Sequence, residues 1–414
     1  MSHEAAEADF LPLPRAPKYG ALDLWRGVAC LMIVVFHAIY YSPYYRAFES
    51  GTAFVPGSGT LDHLAAILQK GLAQLWLGVP LFFVISGYCI MAAIDSQRRR
   101  SPGLGQYFRR RLRRIYPPYW FAILFCALAI IACEAGLARG LFADERPPVF
   151  MPWLLDSWQW LGNLTLTESW RAHVAGSHQG YFLGISWTLC YEEQFYAMAG
   201  LILLCSRRRI FLGAATVTLL AMLARVAAAL AGWSIEGFFF DGRWLQFAVG
   251  ILVYWRINYA TARQSRGAHA IWIALTVAAI FTKDWLPSPT DRSTVLASCF
   301  ALLLSLSHGY NAWFCTTAWL APLRYCGRIC YSMYLVHWLF AKGIAHCLYQ
   351  HGFTGFWQTL LITIPLCVAA SVAAATLFHF LVERHFLNGP ARRATAQAAR
   401  DVVPALSEPS IATT

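Results

Sequence analysis

Charge is scarce in this chain. Only 13% of its 414 residues are Asp, Glu, Lys or Arg, about half the usual share of a soluble domain, while 58% are hydrophobic. That balance excludes an ordinary water-soluble enzyme. Acids are the rarer sign, 21 against 33 Lys+Arg, for a net charge of +12. In a soluble protein such an excess points to nucleic acid, but here the basic pieces stand between apolar runs. Membrane topology accounts for them, and no nucleic-acid partner is expected. Among the 12 cysteines no pair has the C-x-x-C spacing of a zinc or redox site, and most lie inside apolar runs. They read as small core hydrophobes, so no metal site is expected. No repeat marks the inverted halves of a secondary transporter, and the first 20 residues hold acids and prolines without an apolar h-region, so no cleaved signal peptide is expected.

What the chain does hold is apolar length. Runs of about 20 residues recur, each long enough to cross about 30 Å of hydrocarbon as a helix. Hydropathy, Pro/Gly punctuation and charge runs give ten candidate spans: about 22–43, 72–95, 117–135, 184–205, 210–231, 243–256, 268–283, 293–309, 325–348 and 358–383. The expected fold is therefore all-α, a polytopic membrane helix bundle, with an integral-membrane domain over 21–385. Residues 1–20 read as a cytoplasmic N-terminal segment and 386–414 as a disordered cytoplasmic tail. Eight arginines crowd residues 98–114, a run that resists translocation and fixes that loop as cytoplasmic. Both termini then face the cytoplasm, and short inside loops with the termini carry 21 Lys/Arg against seven outside. On this topology residues 136–183 form a long outside segment rich in Trp (Trp153, Trp158, Trp160, Trp170). It reads either as an interfacial aromatic belt or as a lip whose rings stack on a sugar or lipid-linked acceptor.

Ionisable groups inside spans are costly and therefore candidates for function. Arg26 and His37 are eleven residues apart; eleven steps of 100° put them on one helix face, about 16 Å apart along the axis. A cation at one mouth and an imidazole farther along suit a long ligand with an anionic head and a reactive tip. A histidine bonded in a helix interface and a snorkelling arginine are the plainer readings. Glu192 and Glu193 stand side by side about two turns into the fourth span, and at least one should face a polar cavity. His337 lies in the ninth span about 18 Å from its inner end; His37 at about 22 Å and Glu192 about 12 Å below the opposite surface fall at similar depth. The run Arg110-Arg111-Leu112-Arg113-Arg114 can bind phosphates bidentately or act only as a topogenic stop.

Six blocks follow in order, Leu22 to His37, Gly78 to Tyr88, Arg111 to Arg114, Trp187 to Tyr196, Arg243 to Gly250 and Gly327 to His337, and together they make the chain resemble the acyltransferase-3 family, bacterial polytopic enzymes that acylate cell-surface glycans and other acceptors. Leu22-Asp23-Leu24-Trp25-Arg26-Gly27 through His37 resembles its Arg-x10-His helix, Gly78-Val79-Pro80-Leu81-Phe82-Phe83-Val84-Ile85-Ser86-Gly87-Tyr88 its LFFVLSGF segment, and Arg111-Leu112-Arg113-Arg114 its Arg-x-x-Arg. The Trp187 to Tyr196 stretch is similar to its WSLxxEEQFY signature, and the blocks Arg243 to Gly250 and Gly327 to His337 match two later ones. Pro80, Thr188 and His385 depart from the family pattern, which bears on substrate subgroup rather than on reaction class.

The resemblance implies a multi-pass protein of the bacterial inner membrane that moves an acyl group, most often acetyl, from cytoplasmic acyl-CoA to a hydroxyl of a carbohydrate or lipid-linked glycan acceptor. Acetyl-CoA would be the donor substrate, with no permanently bound cofactor. Arg26, Arg111 and Arg114 would hold the CoA phosphates, His37 would be the general base, and Glu192 would orient its ring or share the proton. A covalent acyl-histidine is the less favoured variant. Asp23, Ser86, Glu193, Arg243 and His337 stand as supporting residues in these motifs. No hydrolase-like soluble domain follows the last span, so the membrane domain is expected to act alone or with a separate protein. A transporter using the buried His, Glu and Arg, or a non-catalytic partner in an acyl-transfer complex, are the competing classes.

Overall fold

The computed structural model describes residues 19–41, 60–100, 103–137, 139–142, 151–281 and 289–387. The expected N-terminal segment and C-terminal tail lie outside these, apart from residues 19–20 and 386–387. Among the described residues there are helices and turns and no β-strand. The principal helices are α1 (Leu22–Tyr40), α2 (Thr60–Leu72), α3 (Gly78–Arg100), α4 (Leu104–Ala132), α5 (Ser157–Thr165), α6 (Glu168–Ala175), α7 (Trp187–Cys205) and α8 (Ile210–Ala231). They continue with α9 (Arg243–Asn258), α10 (Ala262–Phe281), α11 (Pro289–Ser307), α12 (Ala321–Arg328), α13 (Cys330–Gln350) and α14 (Ile364–Phe378).

Each of the ten expected spans has a helix on it. Among the described residues, six helical stretches are by themselves long and apolar enough to cross a membrane: Leu22–Tyr40, Thr60–Arg99, Leu104–Gly136, Ile210–Ala231, Arg292–Thr316 and Phe356–Leu387. The other four fall short for physical reasons. α9 has 16 residues, below the roughly 20 of a full crossing, and α7, α10 and α13 carry Glu, Arg or Lys inside their length. The surface agrees with a lipid solvent. α8 exposes Leu212, Leu219, Leu223 and Val226, and α4 exposes Trp120, Phe121, Leu124 and Leu128, while polar groups such as Asp95, Glu168, His337 and Glu383 are buried. This is a multi-pass membrane protein.

One expectation needs correction. The basic run was expected in a loop ending before Pro117, yet Arg109 to Arg114 occupy the first turns of α4, which continues through Pro117 and Pro118 for 29 residues. Each proline removes one ladder hydrogen bond, and the packed surroundings tolerate the loss. Within the long segment after α4, residues 151–183 fold as the hairpin α5–α6 packed into the bundle.

Two backbone-to-backbone crossings set the frame. A Cβ on Gly27 of α1 would lie 1.9 Å from the Leu323 carbonyl oxygen of α12, and one on Gly327 would lie 1.6 Å from that of Asp23. Likewise a Cβ on Gly87 of α3 would meet the Phe247 carbonyl oxygen of α9 at 2.0 Å, and one on Gly250 that of Val84 at 2.0 Å. Small residues let membrane helices approach this closely, which gains dispersion where lipid supplies no hydrophobic drive. Beside the second crossing an aromatic cluster joins α9 to α7, with Phe195 4.8 Å from Phe247 and Trp244 5.1 Å from Phe247, centroid to centroid.

Candidate functional site

The Gly27–Gly327 crossing places α1 beside the continuous α12–α13 strand of helix, and matching positions then face each other. Cys30 lies against the Cys330 carbonyl, and His37 Nδ1 is 3.0 Å from His337 Nε2. Near the start of α1, Arg26 donates to Asp23 at 2.9 Å and to the Cys89 sulfur of α3 at 2.9 Å. So α1 carries a guanidinium at one end and an imidazole at the other, on one face.

A cavity runs along that face. Arg26, Arg111 and Arg114 line it together with Ser86, Glu192 and Tyr196. Its other walls are apolar, with Ile33 from α1 and Val79, Phe82 and Phe83 from α3. Ile33 packs against Gly78, while Arg26 reaches Cys89, eleven residues along α3. The cavity therefore has a cationic end at Arg26 and an apolar end at Ile33 and Val79. The lining on α1 stops at Ile33, one turn short of His37.

Within the wall, Glu192 accepts from Ser86 Oγ at 3.1 Å and from the Tyr196 hydroxyl at 2.6 Å. Arg111 lies over the Tyr196 ring at 5.0 Å and the Tyr107 ring at 6.0 Å, and no protein atom among the described residues accepts a hydrogen bond from its guanidinium. Its N–H groups border the cavity. Glu193 does not line the cavity, and its Oε1 is buried without a hydrogen-bond partner among the described residues. Of the three groups expected at similar depth, the structure brings His37 to His337 and gives Glu192 to Ser86 and Tyr196, so Glu192 does not hold the His37 ring here.

The arginine-rich stretch divides by task. Arg98 and Arg99 clamp Asp95 at 2.6 and 2.5 Å, where Tyr254 (2.6 Å) and Tyr259 (2.7 Å) also donate. Asp95 is 1% exposed, and four donors offset the cost of burying its charge. Arg113 reaches the His385 carbonyl at 3.4 Å. Of the run, only Arg111 and Arg114 line the cavity. Arg243 lies outside it, bonded to Asp241 and to the Tyr191 hydroxyl (2.8 Å), with its guanidinium 4.6 Å over the Tyr191 ring. It pins the turn before α9 to α7.

The α5–α6 hairpin backs the first turn of α7. Asn163 is its fastening: its amide donates to Gln159 O (2.8 Å) and Gly180 O (2.6 Å), and its side-chain oxygen accepts from Phe182 N (2.9 Å). Buried Glu168 takes a bidentate pair from Arg171 at 2.8 and 2.9 Å and the Gly180 N–H at 2.8 Å, and this pairing raises the Arg171 pKa above the ordinary arginine value. The hairpin tip touches α4: the hydroxyls of Tyr119 and Tyr116 donate to the carbonyls of Asn163 and Thr165, both at 3.0 Å, and Trp120 Nε1 to that of Leu164, also at 3.0 Å. A segment expected on the face opposite the basic run thus reaches residues two to six positions past Arg114. Trp158 is 68% exposed and Trp153 57%, whereas Trp160 packs on Phe182 at 5.3 Å.

Sequence reasoning missed Tyr196, Tyr334 and Cys89 as wall residues, and the pair Ser332–Glu383 with His379 at 2.9 Å behind them. Tyr196 closes one quoted motif and Tyr334 lies inside another, but a tyrosine in an apolar helix gives no signal of which way its hydroxyl points. Tyr334 bonds Thr188 at 2.9 Å and the Ile185 carbonyl, tying α13 to the head of α7.

Among curated proteins the chain is 27% identical over 399 residues to a protein of Komagataeibacter xylinus named as a membrane-bound transacylase, BcsY, covering 92% of this chain and 86% of that one. It is 23% identical to a Bacillus subtilis protein named as a peptidoglycan O-acetyltransferase, YrhL, covering 79% of this chain and 54% of the relative. It is 27% identical to the peptidoglycan O-acetyltransferase OatA of Listeria monocytogenes over 34% of this chain and 23% of that one. The chain thus spans about half of the second relative and less than a quarter of the third. No solved structure matches it. The family model described as an acyltransferase domain matches residues 19–379, nearly all of the helical body and every residue of the cavity, so the chain belongs to the acyltransferase-3 family.

Proposed function

We propose that this protein transfers an acyl group, acetyl in the first instance, from acyl-CoA to a hydroxyl of an extracytoplasmic carbohydrate-containing acceptor such as an O-antigen or exopolysaccharide, acting in the bacterial inner membrane with both termini cytoplasmic. The observation that carries this reading is a cavity with three guanidinium groups at one end and apolar walls that run along α1 toward His37. Phosphates suit the cationic end, where Arg111 has unused donors; a narrow pantetheine arm suits the apolar stretch. The Arg26 to His37 separation is about 16 Å at the helix rise, the length over which a thioester is carried to the imidazole.

His37 acts as general base. It takes the proton of the acceptor hydroxyl as the oxygen attacks the thioester carbonyl; the tetrahedral intermediate then expels the CoA sulfur, which receives that proton. An ester and free CoA result. A positioned base supplies about 10²- to 10⁴-fold, and holding donor and acceptor in one site supplies much of the rest. Two relatives named as peptidoglycan O-acetyltransferases support O-acetyl transfer.

The test is purified full-length protein with acetyl-CoA, followed by release of free CoA and by mass spectrometry of cell-envelope polysaccharide from cells with and without the protein. Acetyl groups should disappear from the polysaccharide when the protein is absent and when His37→Ala replaces it. Unchanged acetylation in both strains, with no CoA released in vitro, refutes the activity.

A further inference from the structure

The two histidines that meet across α1 and α13 have hydrogen-bond roles that follow by elimination. His337 Nδ1 lies 2.9 Å from the Met333 carbonyl oxygen and 2.9 Å from that of Tyr334. Carbonyl oxygens only accept, so His337 Nδ1 carries the proton. A neutral imidazole with its hydrogen on Nδ1 has a bare Nε2, which can only accept. That Nε2 is 3.0 Å from His37 Nδ1, so His37 holds its own hydrogen on Nδ1 and keeps Nε2 as its basic atom. His337 is 1% exposed, and water does not compete for these contacts.

We infer that His337 is the positioning residue that fixes the tautomer of His37, leaving the His37 Nε2 lone pair as the proton acceptor, and that it steadies the imidazolium formed when that proton arrives. The inference rests on the reading of His37 as base. When His37 Nε2 takes the hydroxyl proton, the Nδ1–H to His337 bond persists and becomes charge-assisted. Such bonds are roughly twice as strong as neutral ones, so the contact favours the transition state over the resting state. No second proton moves, because His337 Nδ1–H stays on the helix carbonyls. The carboxylate that usually holds a catalytic histidine is here replaced by a neutral ring: Glu192, the carboxylate in the cavity wall, is engaged by Ser86 and Tyr196. The other rings against His37 are Phe36, Tyr40 and Tyr41, the last stacked at 5.4 Å with an interplanar angle of 16°. They hold the imidazole plane; the Ile33 carbonyl one turn back also bonds the ring, and the His337 acceptor beside it keeps the hydrogen on Nδ1 and Nε2 bare.

Three variants of the full-length protein and one spectrum test this. His337→Gln keeps an acceptor oxygen near the Nε2 position, His337→Leu keeps volume without an acceptor, and His37→Ala removes the base. With acetyl-CoA as donor and de-O-acetylated envelope polysaccharide from a strain lacking the protein as acceptor, His337→Leu should lose about 100-fold in kcat with the acetyl-CoA KM within about threefold of wild type. His337→Gln should recover to within about tenfold of wild type. Nitrogen NMR of ring-labelled wild type should find the His37 proton on Nδ1. Wild-type turnover in His337→Leu, failure of His337→Gln to rescue, a KM and melting loss that account for the rate, or a His37 proton on Nε2 would each overturn the assignment. An active His37→Ala sinks the base reading itself, whereas an inactive His37→Ala beside a fully active His337→Leu sinks only the role of His337.

Discussion

Arg111 places its guanidinium over the ring of Tyr196, 5.0 Å from its centroid, while the hydroxyl of that ring donates to Glu192 at 2.6 Å. The tyrosine therefore stands between the cation and the carboxylate. A direct bidentate pair would have consumed the guanidinium donors; the stacked arrangement keeps the charge in the wall and the N–H groups open to the cavity.

Removing that group should act on the donor. Arg111→Ala is expected to raise the acetyl-CoA KM by about tenfold or more, the worth of one lost charge-assisted hydrogen bond, with a smaller change in kcat. Arg113→Ala, whose guanidinium bonds the exposed His385 carbonyl instead, should leave the KM near wild type. Donor kinetics on both variants decide the point: equal effects would mean that the basic run serves only as a charge reservoir.

The hairpin fastening should be a stability determinant. Asn163→Ala strips partners from the Phe182 N–H and the Gly180 carbonyl in a buried setting, at about 1–3 kcal/mol for each unsatisfied group. Limited proteolysis should then cut within 151–183 well before the rest of the bundle, and the melting temperature should fall. Resistance equal to wild type would show that the hairpin is held by its contacts to α4 alone.

Exposed Trp158 bears on the acceptor. Trp158→Ala is expected to lower transfer to the native polysaccharide more than acetyl-CoA hydrolysis by water, with little change in melting temperature, because a ring 68% exposed adds little to packing. If transfer, hydrolysis and melting fall together, the ring is an interfacial anchor and acceptor recognition lies elsewhere.

Close helix approach predicts intolerance at the crossings. Gly27→Ala forces a methyl to within 1.9 Å of the Leu323 carbonyl oxygen, and Gly87→Ala to within 2.0 Å of that of Phe247. Backbone cannot give way as a side chain does, so each should destabilise by about 1–3 kcal/mol or more. Gly267→Ala, where a Cβ meets open space, is the matched control; a melting temperature for Gly27→Ala equal to that of the control would refute the crossing.

Topology can be read independently. Reporter fusions after residue 100 and after the C-terminus should signal cytoplasm, and one near residue 155 the opposite side. A cytoplasmic signal at 155 would remove the outward-facing acceptor site, since the hairpin would then enter from the same side as the basic run.

The sequence alone determined the solvent and the helical class, because apolar runs of about 20 residues and scarce charge leave no other way to satisfy the backbone in lipid. It also determined that Arg26 and His37 share a face, since helix periodicity is a local property of the chain. It could not say that the Arg run is helical through Pro117 and Pro118, because tolerance of a proline depends on the neighbours that surround it. Charge alone could not choose among the arginines, and it was the Arg111-Leu112-Arg113-Arg114 motif that singled out Arg111 and Arg114; what packs beside each side chain, Asp95 for Arg98 and Arg99 and the Tyr196 ring for Arg111, came from the tertiary structure. The partner of His37 was likewise beyond reach. His337 is 300 residues away in the chain, and only the glycine crossing of α1 with α12, which sets the offset of the two helices, decides that imidazole meets imidazole while Glu192 turns to Ser86. Depth along a helix follows from counting residues; which faces meet at that depth follows from packing.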